Sequence, residues 1–149
     1  MRYWLIKSEP DAYSIDNLAK DRATAWTGVR NYQARNFMRD QMSIGDRVFY
    51  YHSNCDDPGI VGMAEVCKRA YPDATQFDNK SKYFDPKSSA DNPRWLNVDV
   101  KFVKKTRLVS LAELRRHKPL KSMRILARGN RLSITPVDPA EWEFIAGLF

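Results

Sequence analysis

Apolar residues recur along this chain with two spacings. Tyr3 to Ile6 (YWLI) is a short continuous apolar run that stops at Lys7, Ser8, Glu9 and Pro10, and it reads as a buried strand. Asp46 to His52 (DRVFYYH) is rich in β-branched and aromatic residues and reads as another strand. The Asn, Asp, Pro and Gly of residues 53–59 predict a turn, and Ile60 to Val66 predicts the returning arm of a hairpin. Leu96, Val98, Val100 and Phe102 alternate with Asn97, Asp99 and Lys101, the period of a half-buried strand. Arg131 to Thr135 (RLSIT) predicts a further strand.

Helices are marked by their caps. Ser14 precedes a short helix over Ile15 to Lys20, and Asn31 opens a second through Arg39. Ser110 and Glu113 form a capping box for a helix through Arg116. Asp138, Pro139 and Glu141 start a last helix whose apolar face holds Trp142 and Ile145. Between the strands, residues 71–94 are rich in Pro, Asp, Ser and Lys and predict a long irregular connection, a kind of segment that often carries function. Strands joined by hairpins and long loops, irregularly interleaved with helices, predict an α+β fold. Its sheet is expected to be small, curled and mostly antiparallel, approaching a barrel. The length of 149 residues fits a single domain over 1–149.

Composition narrows the class. Hydrophobic residues make up 43% of the chain, which argues against disorder. No apolar run approaches the ~20 residues of a membrane span, so no membrane role is expected. MRYWLIKSEP lacks the apolar core of a signal peptide. Cys55 and Cys67 form no CxxC, and His52 and His117 have no metal-ligand spacing. The expectation is therefore a cytoplasmic protein (nuclear in a eukaryotic host), monomeric, with no metal and no cofactor.

Charge changes the picture more. The chain carries +7, yet between Lys101 and Arg131 eleven Lys/Arg stand against one acid, Glu113. Such a concentration is either a solvated face or a footprint for a polyanion. Lys101, Lys104, Lys105, Arg107 and Arg128 are the candidate phosphate contacts.

Five stretches could carry chemistry. Lys7, Ser8 and Glu9 either form the turn after the first strand or face a ligand. In WTGVRN, Trp26 is a core residue or the flat wall of a pocket. Gly28 frees the backbone for a sharp turn or close approach, and Val29, Arg30 and Asn31 lead into a helix. In YYHSN, Tyr50 and His52 face one way and Tyr51 and Ser53 the other. Asn54 is a turn residue or an amide that both donates to and accepts from a heterocycle edge. Asp85 before Pro86, and Arg131, Leu132 and Ser133 after a Gly-Asn turn, are ordinary turn chemistry or further pocket members. GxxxxGK[ST], GxSxG, HExxH and GxGxxG are all missing, which lowers the case for an enzyme.

KSEP after YWLI, then WTGVRNYQARN, YYHSN, GIVGMAEV, YFDPK and RGNRLSITPV occur in one order along the whole chain. In that order they resemble the EVE domain family. The resemblance implies a PUA-like fold related to the YTH domain, and a pocket for a nucleobase in DNA or RNA, with modified cytosine among the ligands. It implies a base pocket of Lys7, Ser8, Glu9, Trp26, Gly28, Val29, Arg30, Asn31, His52, Ser53 and Asn54, with Asp85 and Arg131 to Ser133 at its margin. Two other functions stay open: a hydrolase of modified nucleosides, as in ASCH-type PUA-like domains, and a protein-interaction module.

Overall fold

The computed structural model describes all 149 residues. Six strands form one sheet: β1 (Tyr3–Ser8), β2 (Ala23–Ala25), β3 (Arg47–His52), β4 (Gly59–Pro72), β5 (Leu96–Ser110) and β6 (Ile134–Val137). Their order is β2-β5-β4-β3-β1-β6. Only β1 and β3 run parallel; every other neighbouring pair is antiparallel. The edge strands β2 and β6 do not pair with each other, so the sheet stays open and does not close into a barrel.

Helices cover both faces. On one side α1 (Ile15–Asp21) and α2 (Tyr32–Asp40) pack over Trp4, Ile6, Val48, Tyr50, Val66 and Val100. On the other, α3 (Leu111–Arg116) and α4 (Pro139–Ala146) cover Leu5, Phe49, Tyr51, Ile60 and Val109. This is why YWLI and VFYY are continuous apolar runs rather than alternating ones: β1 and β3 are central strands with no solvent face. Their core is fixed by a buried carboxylate. Asp46 accepts from the Trp4 indole N–H at 3.0 Å and from the backbone N–H groups of Arg2 and Ser43.

The structure extends or moves several predicted elements. β4 runs on to Pro72 and β5 to Ser110, because the two pair with each other through several irregularities of register. Residues 131–133 lie outside a strand, and β6 starts at Ile134. β2 is a three-residue edge strand, ATA, too short to leave a pattern. The long connection 73–95 is irregular but well anchored. Gln76 is fully buried and uses its whole amide: Nε2 donates to the carbonyls of Asp73 and Trp95, and Oε1 accepts from Trp95 N–H and the Ser88 hydroxyl.

Candidate functional site

The segment that joins β2 to α2 leaves the sheet at Trp26, whose N–H donates to the Val98 carbonyl at 2.8 Å. The residue is 9% exposed. Tyr50 and Tyr13 both meet it edge to face, at centroid distances of 5.6 and 6.3 Å. Two residues on, Gly28 has φ +84°, and a Cβ placed there would fall 2.6 Å from the ring of Tyr83. Only glycine lets that ring lie directly on the backbone. The carboxylate of Asp73 fixes the turn. It is buried to 0% side-chain exposure and accepts from Gly28 N–H at 2.8 Å, from Arg30 Nη1 at 3.1 Å and from Thr75. Burial pushes the Asp73 carboxyl up, but the hydrogen bonds from Thr75, Gly28 and Arg30 outweigh it and hold the group below its ordinary range. Arg30 then donates to the Tyr83 carbonyl through Nε and Nη2, at 3.1 and 2.7 Å. Loop and turn are thus clamped together around one ion pair.

Between this clamp and the end of β1 lies a cavity of about 420 Å³, walled by Trp26, Tyr13 and Tyr83 with the hydroxyl-bearing Ser8, Thr24 and Thr27. A second recess of about 240 Å³ shares Ser8, Trp26, Thr27, Lys82 and Tyr83 with it and adds Lys7, Glu9, Val29 and Ser133. Tyr50 is fully buried against Trp26, and its hydroxyl donates to the Tyr13 carbonyl at 2.6 Å. Burial pushes that phenol far above its ordinary pKa, so it stays neutral. Lys7 is half-buried and its ammonium pKa is lowered by burial.

The sequence pattern of the EVE domain matches residues 2–148. The chain belongs to the EVE domain family. It is 45% identical to human thymocyte nuclear protein 1 over 166 residues, covering 98% of this chain and 73% of that protein. A hypothetical protein from Leishmania major superposes with a TM-score of 0.94 at 46% identity, over 99% of this chain and 94% of that one. The structure of human THYN1 protein in complex with 5-methylcytosine-containing DNA superposes with a TM-score of 0.93 at 44% identity, over 99% and 97% of the two chains.

In this EVE domain, Lys7, Ser8, Glu9, Trp26, Gly28, Val29, Arg30 and Ser133 line the joined cavities, drawn from three distant parts of the sequence. The other residues singled out from sequence lie elsewhere. Asn31 caps α2: its Oδ1 accepts from Ala34 N–H at 3.0 Å. His52 caps α1, its Nε2 accepting from Ile15 N–H at 3.1 Å, with its ring edge-on to Tyr50. Ser53 and Asn54 line a separate cavity of about 400 Å³. Asp85 accepts from the Trp95 indole N–H at 2.7 Å and Lys87 N–H at 2.9 Å, closing the long loop. Leu132 packs on the α1/α2 side of the core, and Arg131 is exposed.

Of the basic stretch, Lys101 pairs with Glu65, Lys105 with Asp16, and Arg107 with Glu113 in a two-pronged contact. Hydrogen bonding from Arg107 holds the Glu113 carboxyl down to about 2. Lys104 extends over the Phe149 ring, and Arg128 lines the 400 Å³ cavity.

Tyr13, Thr24, Thr27, Lys82 and Tyr83 line the main cavity without having been picked out from sequence. Tyr83 had a signal, an aromatic in a long, proline-bearing loop. Thr27 stands inside the WTGVRN stretch, whereas Thr24 had no signal, because the short strand β2 that carries it was not visible.

Proposed function

We propose that this EVE domain binds nucleic acid by taking one unpaired or flipped base into the cavity beside Trp26, with 5-methylcytosine in DNA as the leading ligand. The observation that carries the reading is the cavity itself: a recess walled by indole and phenol rings and rimmed by hydroxyls and one carboxylate, Glu9. An extruded base needs just those two things, flat apolar contact for its faces and fixed donors and acceptors for its edge. The THYN1 structure with 5-methylcytosine-containing DNA, at 44% identity, supports the same class of ligand.

The roles divide by chemistry. The Tyr83 ring is held flat on Gly28 and stays partly exposed, so it is the stacking surface; Trp26, mostly buried, shapes the wall behind it. Ser8, Thr24 and Thr27 offer neutral hydroxyls that donate or accept. Glu9 accepts from an exocyclic amine, as carboxylates do from cytosine. A 5-methyl group adds apolar contact against Ala12, Ala25 or Val29. One such group discriminates by about 1–3 kcal/mol in an apolar pocket, so selectivity for the methylated base is modest.

The test is binding of single-stranded and duplex oligonucleotides that differ only in one cytosine or 5-methylcytosine, run alongside incubation with the free modified nucleosides. Preference for the methylated strand without turnover supports a reader. Product formation abolished by Glu9→Gln would instead make the domain a hydrolase.

A further inference from the structure

Six of the 25 Lys and Arg side chains on this domain are already neutralised. Arg30, Arg39, Arg47, Lys101, Lys105 and Arg107 each sit within 4.0 Å of a carboxylate. Lys7, Arg115 and Arg128 do not: none of the three donates to any acceptor of the protein. They arrive from β1, from α3 and from the connection ahead of β6, and all three line one cavity of about 400 Å³. No acidic residue lines it. Its floor is apolar, with Tyr51 and Ile125 buried beneath, and its remaining polar heads are Ser53, Asn54 and Asn130. Three unpaired cations converging over a hydrophobic floor repel one another unless an anion joins them.

We propose that this cavity is a phosphate site, and that the phosphate belongs to the nucleic-acid strand whose base enters the cavity beside Trp26. The inference rests on the base-capture reading for its choice of strand. The two cavities are neighbours. Lys7 lines both, and the Ser53 N–H donates to the Ser8 carbonyl at 3.0 Å. The hydrogen bond from Asn54 to Glu9 bridges their rims. A strand that inserts a base on one side of β1 therefore carries its sugar-phosphate past Lys7 toward Arg115 and Arg128. Guanidinium pairs suit a phosphate's oxygens because each can donate two parallel hydrogen bonds. The basic stretch read from the sequence thus acts chiefly through the cations that the fold leaves unpaired, rather than through Lys101, Lys105 or Arg107.

The experiment has two arms. In the first, inorganic phosphate is titrated into the full chain while backbone amide resonances are followed by NMR. Saturable shifts at Ser53, Asn54 and Asn130, lost in the double variant Arg115→Ala/Arg128→Ala, are expected. In the second, the salt dependence of binding is measured with an oligonucleotide whose central nucleotide is abasic, which keeps its phosphates but cannot fill the base cavity. The double variant is expected to flatten the slope of log K against log salt by about 0.7 for each phosphate it no longer neutralises. Arg39→Ala, on an ion-paired surface arginine, leaves it unchanged. Both effects together establish a strand phosphate. Phosphate shifts with an unchanged slope establish a site for a free phosphate ester and overturn the strand. No phosphate shifts at these residues and an unchanged slope overturn the site altogether, even if base preference survives. Both substituted arginines are exposed, and an unchanged thermal midpoint verifies that the double variant is folded.

Discussion

Glu9 and Asn54 lie 45 positions apart, and the Asn54 amide donates to the Glu9 carboxylate at 2.6 Å. Asn54 holds φ +52°, a left-handed backbone that asparagine tolerates better than most residues. The contact ties the end of β1 to the turn after β3, and Glu9 also lines the recess beside Trp26.

Glu9→Gln separates these two duties. The amide oxygen still accepts from Asn54, so stability changes little, but the carboxylate that would receive an exocyclic amine is gone. Competition binding with cytosine and thymine at the test position is expected to show a loss of preference for the amine-bearing base. The expected size is about 1–3 kcal/mol, the value of one good edge contact. An unchanged ratio would remove Glu9 from base reading.

Gly28→Ala tests the clamp. The substitution places a methyl group into the Tyr83 ring and onto a positive φ, and both are unfavourable. Urea denaturation is expected to show a loss of at least about 1 kcal/mol, with oligonucleotide affinity falling further than stability alone explains, because the stacking ring is displaced. A variant as stable and as tight-binding as the parent would show that the loop is not held where it must be.

His52 gives the fold a pH dependence. Burial lowers its pKa, with Lys105 acting in the same direction and Asp16 opposing, and Nε2 must stay unprotonated to accept from Ile15. The folded pKa lies below the unfolded value of about 6.5. The stability His52 contributes is therefore whole above that pH and lost as pH falls through the folded value. Urea midpoints measured from pH 7.5 to 5 are expected to fall more steeply for the parent than for His52→Gln, whose side chain does not titrate. Parallel slopes would exclude His52 as the source.

Much of this was legible in the sequence, and the omissions have physical reasons. Local signals were strong where a residue answers to its neighbours. Ser14, Asn31 and Ser110 each cap the helix they were predicted to cap. The alternation of Tyr50 and Tyr51 across β3 holds, with one ring in each core. What depends on distant partners was not legible. Arg30 is absorbed by Asp73 and the Tyr83 carbonyl, and Asp85 by Trp95, partners 43, 53 and 10 positions away. Asn31 and His52 spend on helix caps the polar atoms that otherwise suit a heterocycle edge. The YYHSN stretch offers two tyrosines as possible stacking rings. Tyr50 and Tyr51 are instead buried in the two cores, and the ring available at the cavity is Tyr83, from the loop. Trp26 sits between its two readings, packed in the core on one side and lining the cavity on the other. Truncating it to alanine removes core packing worth about 3–5 kcal/mol, so Tyr83 is the cleaner probe of stacking.

The most direct measurement is a cycle of affinities: the parent and Tyr83→Ala, each with an oligonucleotide carrying one 5-methylcytosine and with its abasic counterpart. Removing the base is expected to cost the parent about 1–3 kcal/mol, the scale of one stacked base, and to cost Tyr83→Ala far less. A parent that binds the abasic strand as tightly as the methylated one would contradict capture of a base in this cavity.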